Sequence, residues 1–198
     1  MAPPRKHQTD AILDAARELV LDDGPRAASV AAIAKASGAP AGTLYHRFGN
    51  RDGILTAAWL RALERFQMRV MAANSETALE TAVAMAVAGI GFTRELPDDA
   101  RLLLTIRPGD LLDGQPDAAF QETLAAMNAP LNERIGALAG QLYGRRDRRC
   151  VDAVMRAVGD LPYAAIRRHA HDEPMPRWLE ADVAASARAV LESFGEHA

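Results

Sequence analysis

Residues 29–52 read SVAAIAKASGAPAGTLYHRFGNRD, and this stretch decides the fold. It predicts two short helices joined by a tight turn and followed at once by the cap of a third helix. Ser29 suits the N-cap of the first helix, and Gly38 suits a helix end that needs a positive φ. Pro40 suits the first position of the second helix, where its missing N–H is harmless. We therefore interpret the stretch as a helix-turn-helix.

The second of these helices separates its side chains into an apolar and a polar side. Leu44 and Phe48 are four residues apart and are expected to face the core. The outer side is left with a hydroxyl, a phenol, an imidazole and a guanidinium, at Thr43, Tyr45, His46 and Arg47. Such groups suit the base edges of a DNA major groove and the phosphates beside it. The pattern indicates contact with duplex DNA.

The composition favours an all-α protein. The chain has 198 residues, enough for one domain or two small ones, and 49% of them are hydrophobic. Aromatic residues make up only 5% and alanine is abundant, which favours helices over a β-sandwich or barrel. No strand-like alternation and no internal repeat is seen. Apolar periodicity predicts about nine helices, and residues 74–75 form the expected junction between two domains.

The net charge of −3 argues by itself against a nucleic-acid partner, but its distribution does not. Residues 1–73 carry ten basic and seven acidic residues, whereas residues 74–198 carry thirteen and nineteen. Between residues 26 and 51 there are four basic residues and no acidic one. A local basic face of this kind is what phosphate binding requires. The arginines of helix 4, at positions 61, 65 and 69, are expected to form a solvated face.

The sequence favours a bacterial-type cytoplasmic protein with no membrane partner. The single cysteine, Cys150, cannot form an internal disulfide, which fits a reducing compartment. The longest strongly apolar run covers residues 82–92 and is too short to span a bilayer. The first ten residues, MAPPRKHQTD, lack the apolar stretch of a signal peptide.

The segment GTLYHRFGNRDGIL, residues 42–55, resembles the TetR family of transcriptional regulators. That family has a Gly-Thr/Ser-Leu-Tyr run, a Phe three residues later, a cap residue and then a basic residue that opens helix 4. Here the cap residue is Asn50 and the basic residue is Arg51, where the family usually has Lys. Gly53 stands where the family often has an acidic residue that would close a capping box. We expect the start of helix 4 to be somewhat weaker for this reason.

The resemblance implies a homodimer whose two copies of helix 3 enter successive major grooves of a pseudo-palindromic operator. Gly42 and Thr43 would face base edges. Phosphate contacts would come from side chains at the start of helix 2, on helix 3 and at the start of helix 4, namely Ser29, Tyr45, His46 and Arg51. Lys35 and Arg47 are further candidates for DNA contact, with a solvated surface position as the equal alternative for each.

The resemblance also implies a division of labour along the chain. Residues 1–50 would form the DNA-binding domain, helix 4 (residues 51–73) would connect, and residues 74–198 would form a helical effector-binding and dimerisation domain. The expected protein is a repressor released by a small, largely apolar effector. The pocket candidates are apolar or aromatic residues of helices 5 to 7: Met85, Phe92, Leu103, Ile106, Phe120, Met127 and Tyr143. Gly89, Gly91 and Pro130 either make room for a ligand or only let helices pack closely.

Helices 8 and 9 would pair with their copies in a four-helix bundle. The interface candidates form two apolar stripes: Val151, Val154, Val158 and Leu161 on helix 8, and Trp178, Val183, Ala187, Val190 and Leu191 on helix 9. The alternative is that the same stripes pack within one chain. Pro162 is expected to bend or split helix 8.

Two other classes of function stay open at this stage. A helical-bundle enzyme would need paired Glu-x-x-His motifs or another catalytic signature, and the sequence has none. We therefore expect no catalytic residue, no metal site and no cofactor, and we interpret the cluster at residues 169–173 as a helix end. The other alternative is a helical interaction module that does not bind DNA.

Overall fold

The computed structural model describes residues 5–107, 109, 118–170, 172 and 174–196, and no strand occurs among them. These residues form nine helices, which confirms the all-α prediction. Their bounds are α1 Arg5–Asp23, α2 Val30–Ser37, α3 Ala41–Phe48, α4 Arg51–Ala72, α5 Ala78–Glu95, α6 Pro97–Thr105, α7 Ala118–Tyr143, α8 (Arg148–Met155, a π-helical segment Arg156–Asp160, and Leu161–Arg168) and α9 Leu179–Glu196. No helix in this part of the chain has the length and apolar character needed to cross a membrane.

The chain divides into two compact units, which are described separately. Unit 1 comprises residues 1–64 and 98–124, and unit 2 comprises residues 65–97 and 125–198. The division runs through α4 and α7, and it groups α6 with the N-terminal helices. Units defined by compactness need not follow functional domains, so the functional division proposed from the sequence stays a prediction.

Unit 1 is built around apolar side chains from α1, α2, α3, α4 and α6. Ile12, Ile33, Leu44 and Ile54 are fully buried, and Leu102 is almost completely so. Phe48 is partly buried and packs against this core, as its spacing from Leu44 predicts. An eight-residue helix is marginal in isolation, so α3 owes its stability to this packing rather than to its own hydrogen bonds.

Arginine side chains connect α1 to its neighbours in unit 1. Arg61 of α4 donates to Asp14 at 2.6 Å and to the carbonyl and carboxylate of Asp10 at 3.2 and 3.1 Å. Arg17 donates to Asp99 of α6 at 2.5 Å, and Asp99 is 1% exposed. The expectation of a solvated arginine face on α4 is therefore wrong at Arg61, whose side chain is 11% exposed. A period of four residues places a side chain on a face but does not say which helix covers that face.

The turn into α4 explains why glycine stands at position 53. The Asn50 side chain caps α4 by accepting from the Gly53 N–H at 2.8 Å. A Cβ atom at Gly53 would overlap the backbone carbonyl oxygen of Phe48. An acidic side chain at position 53, which would close a capping box, therefore does not fit this backbone. Glycine instead allows the two backbone segments to approach each other closely.

Unit 2 surrounds α5, which is buried over most of its length as its apolar sequence predicts. Thr77 caps this helix by accepting from the Glu80 N–H at 3.1 Å. A Cβ at Gly89 would lie 3.3 Å from Ile166 Cδ1, and one at Gly91 would lie 3.0 Å from the Arg69 guanidinium. Both glycines thus accommodate neighbouring side chains, which favours the packing interpretation over the one in which they make room for a ligand.

Helix α8 begins and bends at identifiable residues. Its N-cap is Asp147, whose carboxylate accepts from the Cys150 N–H at 3.0 Å, and this backbone bond lowers the pKa of the carboxyl below its ordinary value. The π-helical segment ends just before Pro162, whose ring would clash with the preceding turn of a regular α-helix. The bend predicted at Pro162 is therefore taken up by a wider turn. Pro130 lies inside α7 and is exposed.

Candidate nucleic-acid interface

Ser29 and Gly38 set the two ends of α2, the first helix of the helix-turn-helix. The Ser29 hydroxyl accepts from the Ala32 N–H at 3.1 Å, and Gly38 ends α2 with a φ of 68°. Pro40 is the N-cap of α3 rather than its first helical residue, and its carbonyl accepts from the Thr43 N–H at 2.9 Å. Its missing N–H is harmless in either place, which is why the sequence could not distinguish them.

The outer side of α3 carries the predicted polar groups. Tyr45 is 55% exposed although it follows the fully buried Leu44. His46 and Gly42 are also exposed, and Thr43 is half-buried. Ser29 and Lys35 are exposed on α2, so their side chains lie on the surface of unit 1. The surface formed by Ser29, Lys35, Gly42, Thr43, Tyr45 and His46 is called the α3 surface below.

Arg47 does not point into solvent. Its guanidinium donates to Thr9 Oγ1 at 2.7 Å and to Gln8 Oε1 at 3.0 Å, both on α1. The sequence left groove or phosphate contact and a solvated surface position open for Arg47, and it did not predict these bonds to α1. Gln8 and Thr9 were not singled out from the sequence, because polar residues on an amphipathic helix give no sign of which partner they meet.

Arg51 is also held within the chain. It donates to the Pro25 carbonyl and to Asp52 at 2.5 and 2.8 Å, and its side chain is 16% exposed. It therefore joins the start of α4 to the turn at Pro25–Ala27. The N-terminus of α4 itself carries the partial positive charge of a helix end and directly follows α3. This end of the helix suits a phosphate independently of the Arg51 side chain.

The pocket candidates fall into both compact units. Leu103, Ile106 and Phe120 belong to unit 1, where the first two pack on the helix-turn-helix core. Met85, Phe92, Met127 and Tyr143 belong to unit 2, where Met85 and Phe92 are buried. Burial raises the pKa of the Tyr143 phenol, which donates to the Leu191 carbonyl at 3.1 Å. Their role as a pocket wall stays a prediction.

Two clefts are described in unit 2, and neither contains a predicted pocket residue. The first, of about 760 Å³, lies between the π-helical segment of α8 and the end of α9, with walls formed by Arg156, Asp160, Leu161, Val190, Ser193 and Phe194. The second, of about 620 Å³, is more polar and lies at the turn between α4 and α5 beside α7. The described residues contain no cluster of three or more metal-ligating side chains. His171 and Glu173 lie outside them.

The interface candidates divide by exposure. Val154, Val158, Val183, Ala187 and Leu191 are buried within the single chain, where α8 and α9 pack against α5. Trp178 is 54% exposed, and Val151, Leu161 and Val190 are half-buried. The alternative of internal packing thus describes the buried five, and the other four remain at the surface of one chain.

A helix-turn-helix whose second helix leaves its polar side exposed is typical of proteins that bind duplex DNA through that helix. Residues 12–58 match the family model described as bacterial regulatory proteins, tetR family. The HTH-type transcriptional repressor ComR of Escherichia coli K12 is 40% identical over 63 residues, which are 32% of this chain. The match spans about 30% of the length of that relative.

Solved structures share the fold of almost the whole chain. A TetR-like transcriptional regulator from Rhodococcus sp. RHA1 superposes with a TM-score of 0.69 at 18% identity, covering 98% of both chains. A TetR-family regulator from Shewanella sp. PV-4 gives 0.71 at 21% identity over 94% of this chain and 97% of that one. FadR from Bacillus subtilis, solved with stearoyl-CoA, gives 0.63 at 18% identity over 92% and 95%. Residues 12–58 are thus similar to the TetR family, and the fold of nearly the whole chain is that of solved TetR-type regulators.

Proposed function

We propose that this protein is a transcriptional repressor that binds duplex operator DNA through the α3 surface and leaves it when a small molecule binds. The observation that carries the proposal is the exposed polar side of α3. A phenol, an imidazole and a hydroxyl stand there on a helix whose apolar side, Leu44 and Phe48, packs into the core of unit 1. A protein that did not bind through this helix would have little use for an exposed tyrosine at its centre.

The roles on the α3 surface follow from side-chain chemistry. Gly42 has no side chain and allows close approach of the helix to base edges, where the Thr43 hydroxyl and methyl can discriminate between bases. The Tyr45 phenol and His46 imidazole donate to phosphate oxygens, as do Ser29 and Lys35 on α2. The N-terminus of α4 holds a further phosphate with its backbone N–H groups. The Arg51 side chain stabilises the start of α4 through its bonds to the Pro25 carbonyl and to Asp52.

We infer that two copies of the chain act together on a pseudo-palindromic operator. A single eight-residue helix reads too few base pairs to be selective, and two-fold symmetry of the protein matches that of the DNA. The exposed Trp178 and the half-buried Val151, Leu161 and Val190 are the surface we assign to the partner chain. Since the operator lies in the compartment that holds the genome, the site of action is the bacterial cytoplasm.

The effector we propose is a small, largely apolar compound. The apolar side chains of unit 2, among them Met85, Phe92 and Met127, favour an apolar or aromatic compound over a highly charged one. FadR of Bacillus subtilis, which has the same fold, was solved with stearoyl-CoA. A long-chain acyl-CoA, which joins an apolar acyl chain to a charged CoA head, therefore belongs among the compounds to be tested, beside fatty acids and aromatic hydrocarbons that lack such a head.

A footprinting experiment on the DNA that flanks the protein's own gene tests both halves of the proposal. We expect a protected segment with two similar half-sites about one helical turn apart. Addition of an effector from the panel is expected to remove the protection. An absence of any protected segment, with DNA affinity no better than that of Tyr45→Ala, would favour an interaction module that does not bind DNA.

A further inference from the structure

We propose that Arg47 is a positioning residue that fixes the angle of α3 by bridging it to the first turns of α1, and that it is not itself a phosphate ligand. The proposal rests on the proposed DNA-binding function, because it explains how the α3 surface is held in place for that function. Its structural basis is the pair of hydrogen bonds from one guanidinium to Thr9 Oγ1 and Gln8 Oε1.

The bridge has a clear mechanical consequence. Leu44 and Phe48 anchor α3 along one line of contact, and a short helix held along one line can still roll about that line. Arg47 lies next to Phe48 near the end of α3 and reaches sideways to a different helix. Two bonds from one rigid, planar group fix both distance and direction, so the bridge opposes the roll that would turn Thr43 and Tyr45 away from a groove.

The acceptors are themselves fixed in place. Arg61 of α4 holds the next turn of α1 through Asp10 and Asp14, at 3.1 and 2.6 Å to their carboxylates. The first turns of α1 are thus connected to α4 on one side and to α3 on the other. Arg47 therefore connects α3 to the helices α1 and α4 of unit 1. Its loss is expected to change the orientation of the whole α3 surface and not only the contacts of residue 47.

A set of four variants distinguishes positioning from phosphate contact. Arg47→Met removes the bridge, and Arg47→Lys keeps the charge but cannot reproduce the planar two-bond fork. The combined Gln8→Met and Thr9→Val change removes these two acceptors and keeps the arginine. Arg148→Met removes an arginine whose side chain is 96% exposed on unit 2 and serves as the matched control.

The first measurement is amide hydrogen exchange of the protein without DNA. We expect the amides of α3 and its C-cap, including Tyr45 and Gly49, to exchange roughly three to ten times faster in Arg47→Met, in Arg47→Lys and in the acceptor variant. Each of these variants loses the hydrogen bonds that connect α3 to α1, so local opening of α3 becomes easier. Arg148→Met should match the wild type. Unchanged exchange of α3 in both Arg47→Met and the acceptor variant would overturn the proposal, whatever the DNA result.

The second measurement is affinity for duplex DNA of mixed sequence at several salt concentrations. The three variants should each bind about three- to tenfold more weakly with an unchanged salt slope, and combining Arg47→Met with the acceptor change should add little. Wild-type affinity in Arg47→Lys together with a salt slope lowered by about one in Arg47→Met would overturn positioning in favour of a phosphate contact. If the wild type itself binds no DNA, the proposed function falls, while the exchange result still decides whether Arg47 holds α3.

Discussion

Tyr45 is 55% exposed beside a fully buried Leu44, and this alternation within two residues is what makes α3 a surface for contact rather than a packed helix. The phenol gains nothing from burial at this place. Its hydroxyl is a donor that suits a phosphate oxygen. At the scale of single residues, we therefore propose different roles for two side chains: Tyr45 contacts the DNA backbone, and Thr43 selects bases.

Replacement of Tyr45 by phenylalanine should weaken binding to every DNA sequence alike. The ring stays and only the hydroxyl is lost, so we expect a cost of about 1.5 kcal/mol, or roughly a tenfold rise in Kd. Fluorescence anisotropy measures the Kd for an operator duplex and for an unrelated duplex. The matched control is Tyr163→Phe, since Tyr163 is 47% exposed on α8. Equal affinity of Tyr45→Phe and wild type would remove the phenol from the phosphate contacts.

Replacement of Thr43 by alanine should change the preferred operator more than the overall affinity. The hydroxyl and methyl of Thr43 can each meet a base edge, so their loss relaxes discrimination at one position of each half-site by about 1 kcal/mol. Selection from a randomised duplex pool reports the change as a broadened base frequency at that position. A base frequency profile identical to that of the wild type would exclude Thr43 from the reading residues.

Much of the α3 surface could be predicted from the sequence, because it depends on local rules. The N-cap at Ser29, the positive φ at Gly38 and the spacing of Leu44 and Phe48 are decided within a few residues of chain. The partners of Arg47 and Arg61 could not be predicted, since they lie about forty to fifty residues away in sequence on α1. A side chain's face follows from periodicity, but its partner follows from the packing of whole helices.

At the scale of elements, α1 is connected to three other helices of unit 1, α3, α4 and α6, through hydrogen bonds and ion pairs of arginine side chains. The connection to α6 is the most buried, because Asp99 is 1% exposed and the Arg17 side chain 12%. Arg17 also lies 3.3 Å from Asp14, and its Nε is buried without a partner. An arginine in this setting depends on its carboxylate, since one buried charge without the other is costly.

Asp99→Ala should therefore destabilise the protein strongly. It leaves the buried Arg17 guanidinium without its nearest carboxylate, and we expect a loss of about 3 kcal/mol in the free energy of unfolding, measured by urea denaturation. Asp98→Ala is the control one residue away: its side chain is 46% exposed, and it should change stability by roughly 0.5 kcal/mol or less. Equal stabilities of the two variants would show that the Arg17–Asp99 pair contributes little.

Gly53→Ala tests the junction between α3 and α4. A methyl group there would overlap the Phe48 carbonyl oxygen, so the turn must open and the Asn50 cap must shift. We expect a loss of about 2 kcal/mol in stability, of the size seen when a side chain is forced into an incompatible backbone. Gly42→Ala is the control, because a Cβ at Gly42 meets nothing within 4 Å. A Gly53→Ala protein as stable as Gly42→Ala would contradict the overlap.

At the scale of the whole molecule, the proposal requires two chains. The buried stripes of α8 and α9 stabilise unit 2 itself, and the residues that remain at its surface include Val190 beside the 760 Å³ cleft. The similarity to the TetR family lies in residues 12–58, whereas the fold shared with solved regulators extends over nearly the whole chain. The proposed dimer interface and effector pocket lie where the sequence carries the weakest signal, because apolar helices of similar pattern serve as core, as pocket wall or as interface.

Val190→Glu should separate the dimer and weaken operator binding together. A carboxylate in the interface is desolvated without a partner, and the loss of the second reading head removes its share of the affinity. Sedimentation should show the wild type at twice the 21.3 kDa of one chain and the variant at one times that mass. Gln141→Glu, on the exposed side of α7, is the control. A dimeric Val190→Glu protein would move the interface elsewhere.

The most direct test of the central claim is the salt dependence of DNA binding by the wild type and by Tyr45→Ala. The account predicts that log Kd of the wild type rises linearly with log salt, with a slope that reflects several neutralised phosphates. Tyr45→Ala should bind more weakly at every salt concentration, on operator and unrelated duplex alike. An affinity that stays flat between low and moderate salt, or that is the same in both proteins, would contradict the claim that α3 carries this protein onto DNA.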